Sequence, residues 1–509
     1  MTTAAPSRSR PERSSAPGPL VDAVVGRVTM YRLATIVLLG IAAAALAASL
    51  LGALSFPPLG LVAALAVAVV VGVGSNLLFA AVRRLRPHAE SGLITGLLGF
   101  LLFLPLPTAP ALGALALAIA AANLTKYLLV VRGRHVLNPV AAGAVVVLLT
   151  GVSGATWWVA TPVLLPFVVL GGALVVRRAA AWDLALPMLL IAIPGTVLKL
   201  VATGSAPAAA SWTAVASYPF LFLAAFLLSE PLTAPPRRWQ RVLVGALVGV
   251  LVLLPLRVGA LGMTPEIALV LANVVAFAFG QRRRVRLVLR RREAHAGGID
   301  DLRLESEAPL RIRPGQYVEL SLPHAHSDGR GARRAFSPAS APGTEVRIVT
   351  RRGERASSFK RALTTLPVGA AVAGSVVAGD FVPPRDPAAR VLWFASGVGV
   401  TPFLAMAEAE PDRDAVLVWR LHAGDDPTWA AAALARVRVL VVGPAGVPLP
   451  EGWRRIGDRL DPEVLLNAVR DLPGRRGYAA GSPTWVAVAR RVAKQAGLPR
   501  IRTDRFLGY

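Results

Sequence analysis

The sequence lacks cysteine altogether and has little lysine or histidine. Its 509 residues include no Cys, four Lys and six His. Without thiolates the chain cannot form disulfides, cannot bind an iron-sulfur cluster or a zinc ion through Cys, and has no Cys nucleophile. Any redox cofactor must therefore be held by other side chains, and we predict no metal ion.

Charged residues are also scarce, and they are unevenly distributed. They make up 17% of the chain against 54% hydrophobic residues, whereas ordinary soluble proteins carry about 25% charged residues. Up to about residue 281 the sequence consists of long apolar runs broken by short Arg clusters. From residue 282 onward it has the composition of a soluble protein. We therefore predict a polytopic α-helical membrane domain at 29–281, fused to a soluble region large enough for two small domains.

Ten apolar runs are candidate membrane spans. Residues 1–28, rich in Ser, Pro, Ala and Arg, are predicted to be a disordered basic tail. They are not a cleavable signal, because the first apolar run is long and more spans follow. The runs have roughly 15 to 25 residues and fall near 33–55, 57–81, 92–106, 110–131, 137–152, 159–178, 183–202, 214–230, 239–257 and 264–281.

The Arg clusters alternate regularly along the predicted topology. The opposite loops hold essentially only Arg257. Basic residues collect on the cytoplasmic side, so we predict a multi-pass cell-membrane protein whose N-terminus and C-terminal half are cytoplasmic. This distribution accounts for the formal charge of +26 without nucleic-acid binding. The residues on one face are Arg27, Arg32, Arg83, Arg84, Arg86, Arg132, Arg134, Arg177, Arg178, Arg237, Arg238, Arg241 and Arg282 to Arg284.

The helical half has too few suitable His to bind heme. Its only His are His88 and His135, both next to Arg clusters in predicted loops, where we expect solvated side chains. Heme held inside a bundle needs His pairs at membrane depth, so we predict no heme. Ionisable residues near membrane depth are also few and lie at span ends, which does not favour ion pumping; they are Lys126, Asp183, Lys199, Glu230 and Glu266.

Four uncharged or weakly charged motifs lie at the ends of predicted spans. They are Ser91-Gly92-Leu93-Ile94-Thr95-Gly96-Leu97-Leu98, His135-Val136-Leu137-Asn138-Pro139, Ser153-Gly154-Ala155-Thr156 and Ser229-Glu230-Pro231-Leu232-Thr233. In this order, residues 30–281 resemble the membrane subunit shared by Rnf complexes and the sodium-pumping NADH:quinone oxidoreductase. That resemblance implies a flavin-bearing membrane domain.

The resemblance also implies that Thr156 carries FMN through a phosphate ester. Trp157 and Trp158 could pack on the flavin ring or lie in the aromatic belt at the membrane surface. The sequence departs from the family at one position, because the Asp that precedes the Thr by six residues is Thr150 here. Covalent FMN, a non-covalent flavin and a lost site therefore all stay open.

The C-terminal half changes to the patterns of strands and turns. Apolar and polar residues alternate at 285–290, 317–322 and 346–349, between Gly and Pro turns. This predicts a small antiparallel β-barrel over 282–384. After about residue 388 an apolar strand leads into Ala395-Ser396-Gly397-Val398-Gly399-Val400-Thr401-Pro402, a strand-to-helix turn that suits a pyrophosphate. We predict an α/β nucleotide-binding domain over 385–509.

The barrel region contains Arg334-Ala335-Phe336-Ser337. An Arg can pair with a flavin pyrophosphate, an aromatic ring can lie on the isoalloxazine, and a hydroxyl can bond near flavin N5. Residues 285–509 resemble the ferredoxin:NADP reductase family, whose signature is R-x-[YF]-[ST]. Its other motifs follow in order as Pro314-Gly315-Gln316-Tyr317, Gly353 with Ser357 and Ser358, Gly379-Asp380-Phe381, Gly397 to Pro402, and Phe506-Leu507-Gly508-Tyr509.

This second resemblance implies a site for FAD and for NADH or NADPH. The family's late Cys-Gly-Pro segment is Ala480-Gly481-Ser482-Pro483 here, so we expect weakened rather than absent turnover. Arg420 and His422 match neither nucleotide specificity pattern. The implied FAD residues are Arg334, Phe336, Ser337, Ser357 and Ser358, the implied nucleotide residues are Gly397, Gly399, Thr401, Pro402 and Gly481, and the implied catalytic residues are Phe336, Ser337 and Tyr509.

Together the two halves predict an oxidoreductase that moves electrons from cytoplasmic NAD(P)H through FAD to a membrane-domain flavin. The final acceptor would be a quinone or an exported redox protein, and the other partner is membrane lipid. Three alternatives stay open: a transporter-like scaffold regulated by the soluble part, a redox-driven ion pump, and an anchor for a reductase of a soluble cytoplasmic acceptor.

Overall fold

The computed structural model describes residues 29–506 except 86–88, 132–133, 260, 280–283, 311, 325–331, 354–355, 378 and 499. The predicted tail at 1–28 lies outside the described residues. Within them, a bundle of helices is followed by two six-stranded sheets. The predicted boundaries at 282 and 385 stay predictions, since no independent division of the chain tests them.

The helices of the first half begin and end at recognisable signals. Asn138 caps one of them by accepting a hydrogen bond from the backbone N of Ala141 at 3.0 Å, and Gly151 ends that helix with φ 70°. In chain order the helices are α1 (Met30–Leu50), α2 (Pro58–Val82), α3 (Ala89–Leu102), α4 (Ala109–Leu128), α5 (Pro139–Thr150), α6 (Leu165–Ala179), α7 (Trp182–Ala202), α8 (Pro207–Ala216), α9 (Phe220–Leu228), α10 (Arg238–Leu251) and α11 (Pro265–Phe279).

The helices do not support ten membrane spans. Among the described residues, four are long and apolar enough to cross a membrane, namely α1, α2, α4 and α7. A fifth span results if α8 and α9, bent by 42°, are counted as one. The apolar runs are longer than the helices they contain, because segments such as 151–164 leave helical geometry. The 12 to 15 residues of α3, α5, α6, α10 and α11 reach about 18–23 Å, less than the hydrocarbon thickness of about 30 Å.

Small residues bring the helices of the bundle close together. A Cβ atom on Gly72 of α2 would lie 2.7 Å from the carbonyl oxygen of Gly92 in α3, so neither helix could keep its place with a larger residue there. Asn123 of α4 donates from Nδ2 to the Gly72 carbonyl and to Ser75 Oγ, both at 2.8 Å. Close packing and interhelical hydrogen bonds are the usual source of stability between helices in lipid.

The first sheet is antiparallel and lies in the predicted barrel region. Its spatial order is β4-β3-β6-β1-β2-β5, and its two outer strands do not pair with each other among the described residues. The prediction of a closed barrel is therefore not confirmed. The strands are β1 (Arg284–His295), β2 (Ile299–Ser306), β3 (Tyr317–Ser321), β4 (Arg333–Phe336), β5 (Glu345–Arg351) and β6 (Ala371–Val377), with helix α12 (Ser358–Thr364) before β6.

The second sheet is parallel, with the spatial order β10-β9-β8-β7-β11-β12. The chain starts in the middle at β7 and moves outward in one direction, then returns to the other side of β7 for β11. The strands are β7 (Val391–Ser396), β8 (Ala415–Arg420), β9 (Arg438–Val442), β10 (Arg454–Gly457), β11 (Arg476–Gly481) and β12 (Ile501–Arg505), and the helices are α13 (Thr401–Ala409), α14 (Pro462–Ala468) and α15 (Pro483–Gln495).

A hydrogen bond joins the helical bundle, which we call the helical half, to the two sheets, which we call the sheet half. The backbone N of Arg238, in the first turn of α10, donates to Asp380 Oδ2 at 2.9 Å. The end of the bundle where α10 begins and α11 finishes thus faces the sheets, and we call it the proximal end. The opposite end, where α10 finishes and α11 begins at Pro265, is the distal end.

Candidate functional site

The turn after β7 has the geometry of an anion-binding site. Gly397 takes the left-handed conformation, with φ 50°, and a Cβ there would meet no atom within 4 Å. Its carbonyl oxygen accepts a hydrogen bond from Trp419 Nε1 at 3.0 Å, and Thr401 Oγ1 donates to the Val398 carbonyl at 3.1 Å. These bonds hold the turn in front of the N-terminus of α13, where backbone N–H groups attract anions.

The turn after β7 closely approaches the carboxyl end of β11. A Cβ on Gly399 would lie 2.6 Å from the carbonyl oxygen of Ala480 and 2.7 Å from Gly481 Cα. Gly481 itself has φ 133°. Because β7 and β11 lie where the strand order reverses, their carboxyl ends form the crevice in which such sheets bind ligands. The structure therefore brings together the predicted nucleotide residues Gly397, Gly399, Thr401, Pro402 and Gly481.

Of the predicted flavin residues, Arg334 and Phe336 lie on β4 and Ser337 directly follows it. Arg334 is 5% exposed, and its guanidinium lies 5.3 Å from the centre of the Phe359 ring. Phe336 is partly exposed and stacks on the same ring, with centroids 6.1 Å apart and an interplanar angle of 30°. Phe359 in α12 thus orients both the charged group and the aromatic group of the signature.

Two serines at the start of α12 are buried beside these residues. Ser357 caps the helix by accepting from the backbone N of Lys360 at 3.3 Å. Ser358 Oγ lies 2.9 Å from His324 Nε2, while His324 Nδ1 lies 2.8 Å from the Leu322 carbonyl. A carbonyl only accepts, so in the neutral imidazole Nδ1 carries the proton and Nε2 accepts from the serine. His324 was not singled out by the sequence analysis.

Sequence reasoning also missed Asp504 of β12. Its Oδ2 accepts a long hydrogen bond of 3.5 Å from Ser337 Oγ, and its strand pairs it with Ala480. Removal from bulk water raises the pKa of the Asp504 carboxyl to about 6, against the opposing effect of the Ser337 bond. A carboxyl that can hold a proton near neutral pH thus links the end of β4 to the crevice of the second sheet.

The C-terminal segment also reaches this crevice. The backbone N of Phe506 donates to the Gly481 carbonyl at 2.8 Å. The predicted catalytic Tyr509 lies outside the described residues.

Thr156 lies at the other end of the molecule. Its backbone N and its Oγ1 both donate to the Leu102 carbonyl, at 2.9 and 3.1 Å, and its side chain is exposed. The next residue, Trp157, donates from Nε1 to Glu266 Oε2 at 3.1 Å. Because Glu266 is in the first turn of α11, the Thr156 loop lies at the distal end of the bundle.

The two tryptophans after Thr156 are not on the surface. Trp157 is 5% exposed and Trp158 is 4% exposed. Trp158 Nε1 donates to the Phe100 carbonyl at 2.6 Å, and its ring is edge-on to Phe56 and Phe100. Both expected roles, packing on a flavin ring and lying in an aromatic belt, need accessible rings. Both expectations are therefore wrong, and the rings are part of the bundle core.

Two motifs from different parts of the helical half meet at the proximal end. Asn138 donates from Nδ2 to Glu230 Oε2 at 2.9 Å, and its backbone N donates to Asn273 Oδ1 at 2.7 Å. His135 Nδ1 lies 3.1 Å from Glu230 Oε1. With its side chain only 15% exposed, His135 is not the solvated loop residue that we expected. His88 lies outside the described residues.

A third motif contacts Lys126 at the same end. Lys126 Nζ donates to the carbonyl and hydroxyl oxygens of Ser91 at 2.9 and 3.1 Å, and it also contacts Thr95. Lys126 is in the last turn of α4, and Ser91 is in the first turn of α3. Three of the four motifs therefore lie at the proximal end, and only the Thr156 motif lies at the distal end.

No known family matches the sequence, and no curated protein matches it. Solved structures with a similar arrangement each cover 44% of this chain. One is a cytochrome P450 reductase from Amycolatopsis, with 20% identity, a TM-score of 0.37 and 70% of its own chain covered. Another is the FAD/NAD-binding domain of nitric oxide dioxygenase from Vibrio cholerae, with 18% identity, a TM-score of 0.37 and 98% of its own chain covered. A third is the cytochrome b5 reductase domain of Ulva prolifera nitrate reductase, with 16% identity, a TM-score of 0.36 and 97% of its own chain covered.

Proposed function

We propose that this protein is a membrane-bound, FAD-containing NAD(P)H oxidoreductase that passes electrons through its helical half to an acceptor on the far side. The observation that carries the proposal is the contact between Ser337 and Asp504. This contact joins the end of β4, where the flavin signature lies, to the crevice between β7 and β11, where the nucleotide-binding turn lies.

The residues around β4 and α12 fit FAD. FAD, when bound, accepts a hydride from a nicotinamide and releases electrons singly. Arg334 supplies a buried guanidinium for the pyrophosphate. Ser357 and Ser358 supply buried hydroxyls beside it, and Phe336 presents a partly exposed ring for the isoalloxazine.

The crevice between β7 and β11 fits a nicotinamide nucleotide. Gly397 leaves open space in front of α13, and Gly399 lets this turn approach Gly481. Asp504 holds a proton beside Ser337 below about pH 6, which places a proton donor where the two sites meet. Ala480 takes the place of the family's Cys, so this position offers no thiol.

Thr156 would connect the bundle to the far side. The 15 residues of α11 span about 22 Å between the two ends, and transfer over the bundle therefore calls for a second redox group. We propose FMN esterified to the exposed Thr156 hydroxyl, followed by a quinone or an exported redox protein as acceptor. The ester would remove the hydrogen bond to Leu102, which costs about 1 kcal/mol.

A second candidate function is a membrane-anchored reductase of a soluble cytoplasmic acceptor. Two observations favour it. The Thr156 hydroxyl is already engaged with the Leu102 carbonyl, and Thr150, where the family has Asp, bonds within its own helix to the Val147 carbonyl at 2.7 Å.

Flavin fluorescence on a denaturing gel distinguishes the two functions. Purified protein would be run beside Thr156→Ala and Thr161→Ala, the latter removing a hydroxyl from the same segment outside the Ser153 to Thr156 motif. The flavin released into solution would be identified by chromatography. We expect released FAD in all three and a fluorescent band in all but Thr156→Ala. A dark wild-type band with released FAD would leave the anchored reductase, and absence of FAD would contradict both functions.

A further inference from the structure

Three side chains that ligate metals share one face of the β1–β2 hairpin. Glu293 and His295 are two positions apart on β1, so they point to the same side. Glu293 is directly opposite Asp301 of β2 in the strand register. Gly297 and Gly298, with φ 72° and 71°, close the turn tightly between the strands. The hairpin therefore brings two carboxylates and an imidazole together, which the sequence analysis did not predict.

The distances suit a small cation. His295 Nε2 lies 3.8 Å from Glu293 Oε2 and 3.8 Å from Asp301 Oδ2. One ligand atom from each of the three residues lies within 4.8 Å of the others. Zinc–ligand bonds of about 2.0–2.2 Å in tetrahedral geometry separate ligand atoms by about 3.4 Å. Small rotations of the side chains would therefore complete the site.

Two polar atoms of the cluster are buried without a hydrogen bond in the described part of the chain. They are Asp301 Oδ1, on a side chain that is 2% exposed, and His295 Nε2. Most buried polar atoms in native proteins have a partner, and two unsatisfied atoms on residues of one cluster point to a bound group.

Each carboxylate also accepts from an arginine. Arg347 donates from Nε and Nη2 to Asp301 Oδ2 at 2.9 and 2.7 Å, and this is the same oxygen that lies 3.8 Å from His295 Nε2, while Oδ1 has no hydrogen bond. Arg291 contacts Glu293 Oε1, while Oε2 faces His295. Hydrogen-bonded partners of this kind orient metal ligands. Like charges directly opposite each other on a sheet are destabilising, and a bound cation would add to the stabilisation that the two arginines give.

We propose that Glu293, His295 and Asp301 bind one divalent transition-metal ion, with Zn²⁺ as the best match. One imidazole with two carboxylates is a ligand set that zinc accepts, and three protein ligands leave one position for water. A zinc ion at this site would not take part in electron transfer, because Zn²⁺ has no redox activity. The proposal does not depend on the proposed function.

The site lies at the boundary between the two sheets. The His295 ring stacks on Trp429, with centroids 6.4 Å apart and an interplanar angle of 30°. Arg347 Nη2 donates to the Trp429 carbonyl at 3.2 Å, and Arg351 is ion-paired with Asp425 in the same loop region. A metal that fixes the His295 ring would therefore stiffen the contact between the antiparallel sheet and the parallel sheet.

Zinc binding by the full chain tests the proposal. The protein would be purified in detergent with a tag that contains no His, stripped with a chelator, and titrated with ZnCl2 against a chromophoric chelator, with retained metal measured by mass spectrometry. We expect one zinc ion per chain in the wild type. We expect affinity to fall by at least about tenfold in Glu293→Gln and in His295→Gln. Glu305→Gln is the matched control, because it changes an exposed ion-paired carboxylate elsewhere on β2.

A second readout identifies the site independently of stoichiometry. Ni²⁺ or Cu²⁺ at the site should quench Trp429, so the metal-dependent loss of tryptophan fluorescence should disappear in Trp429→Phe. Equal zinc affinity in the wild type and His295→Gln would overturn the proposal. So would the absence of retained zinc at micromolar free metal, in which case the cluster is a histidine ion pair only.

Discussion

The sheet half and the helical half arrange their functional motifs differently. In the sheet half, Ser337 and Asp504 meet although 167 positions separate them, and the flavin and nucleotide residues surround this one place. In the helical half, Asn138 and Glu230 meet at the proximal end while Thr156 lies at the distal end. The predicted site residues of one half thus gather at a single place, whereas the motifs of the other half lie at two opposite ends of a bundle.

Removing the Arg334 guanidinium should disable the sheet half most completely. A charge-assisted hydrogen bond contributes about 1.5–3 kcal/mol, so Arg334→Ala should lower FAD affinity by about 10- to 100-fold. NAD(P)H-dependent reduction of ferricyanide should fall in parallel when FAD is limiting. Arg333→Ala is the control, because that side chain is on the same strand and 48% exposed. Equal FAD content in the two variants would contradict the role given to Arg334.

Asp504→Asn should change how the stability of the sheet half depends on pH. The folded-state pKa of about 6 lies above the unfolded value of 3.8, so the folded state binds more protons between these values. Wild-type stability should therefore fall as pH rises from about 4 to 6, by at most about 3 kcal/mol. In Asp504→Asn the side chain is a neutral amide that does not titrate, so this loss of stability should be absent. Melting temperatures of both proteins at pH 4.5 and 7 measure the difference, and parallel pH profiles would show that Asp504 is not protonated near neutrality.

Gly399→Ala should weaken the binding of NAD(P)H while leaving the binding of FAD unchanged. The new Cβ would lie 2.6 Å from the Ala480 carbonyl oxygen. Because this oxygen belongs to the backbone of β11, it cannot move aside as a side chain would, and the crevice must widen. We expect the KM for NAD(P)H to rise about tenfold, with unchanged FAD content. Gly446→Ala serves as the control, because a Cβ at Gly446 meets nothing within 4 Å. An unchanged KM would show that nucleotide does not bind at this turn.

The smallest effect is expected where the halves join. Asp380→Ala removes the acceptor for Arg238 N, a bond that contributes about 1 kcal/mol. Transfer to an acceptor beyond the membrane should slow about two- to fivefold, whereas reduction of soluble ferricyanide should not change. Asp412→Ala, at a side chain that is 89% exposed, is the control. Equal slowing of both reactions would place the defect within the sheet half instead.

Local patterns were enough to predict much of the sheet half. The alternation around Tyr317–Ser321 and the Gly turn after Val391–Ser396 each specify an element from neighbouring residues alone. Asp504 was missed because its role depends on the pairing of β12 with β11, which nothing local to residues 501–505 encodes. The predicted β-barrel is not confirmed, because strand composition does not determine whether the outer strands of a sheet pair.

The helices of the helical half were less predictable, because the hydropathy of a run shows that it is apolar but not where a helix begins and ends. The run at 137–152 is predominantly apolar, yet α5 ends at Thr150 and the chain turns at Gly151. The meeting of Asn138 with Glu230 could not be inferred either, since it depends on how distant helices pack. Burial of Trp157 and Trp158 follows from the same packing.

The most direct test of electron transfer across the bundle is reduction of ferricyanide trapped inside proteoliposomes when NADH or NADPH is added outside. Only molecules with the sheet half outside can use the nucleotide, so orientation is selected by the assay. We predict that the wild type reduces trapped ferricyanide and that Thr156→Ala does not, while both reduce external ferricyanide at the same rate. Reduction of external ferricyanide alone by the wild type, or undiminished reduction of trapped ferricyanide by Thr156→Ala, would contradict the account.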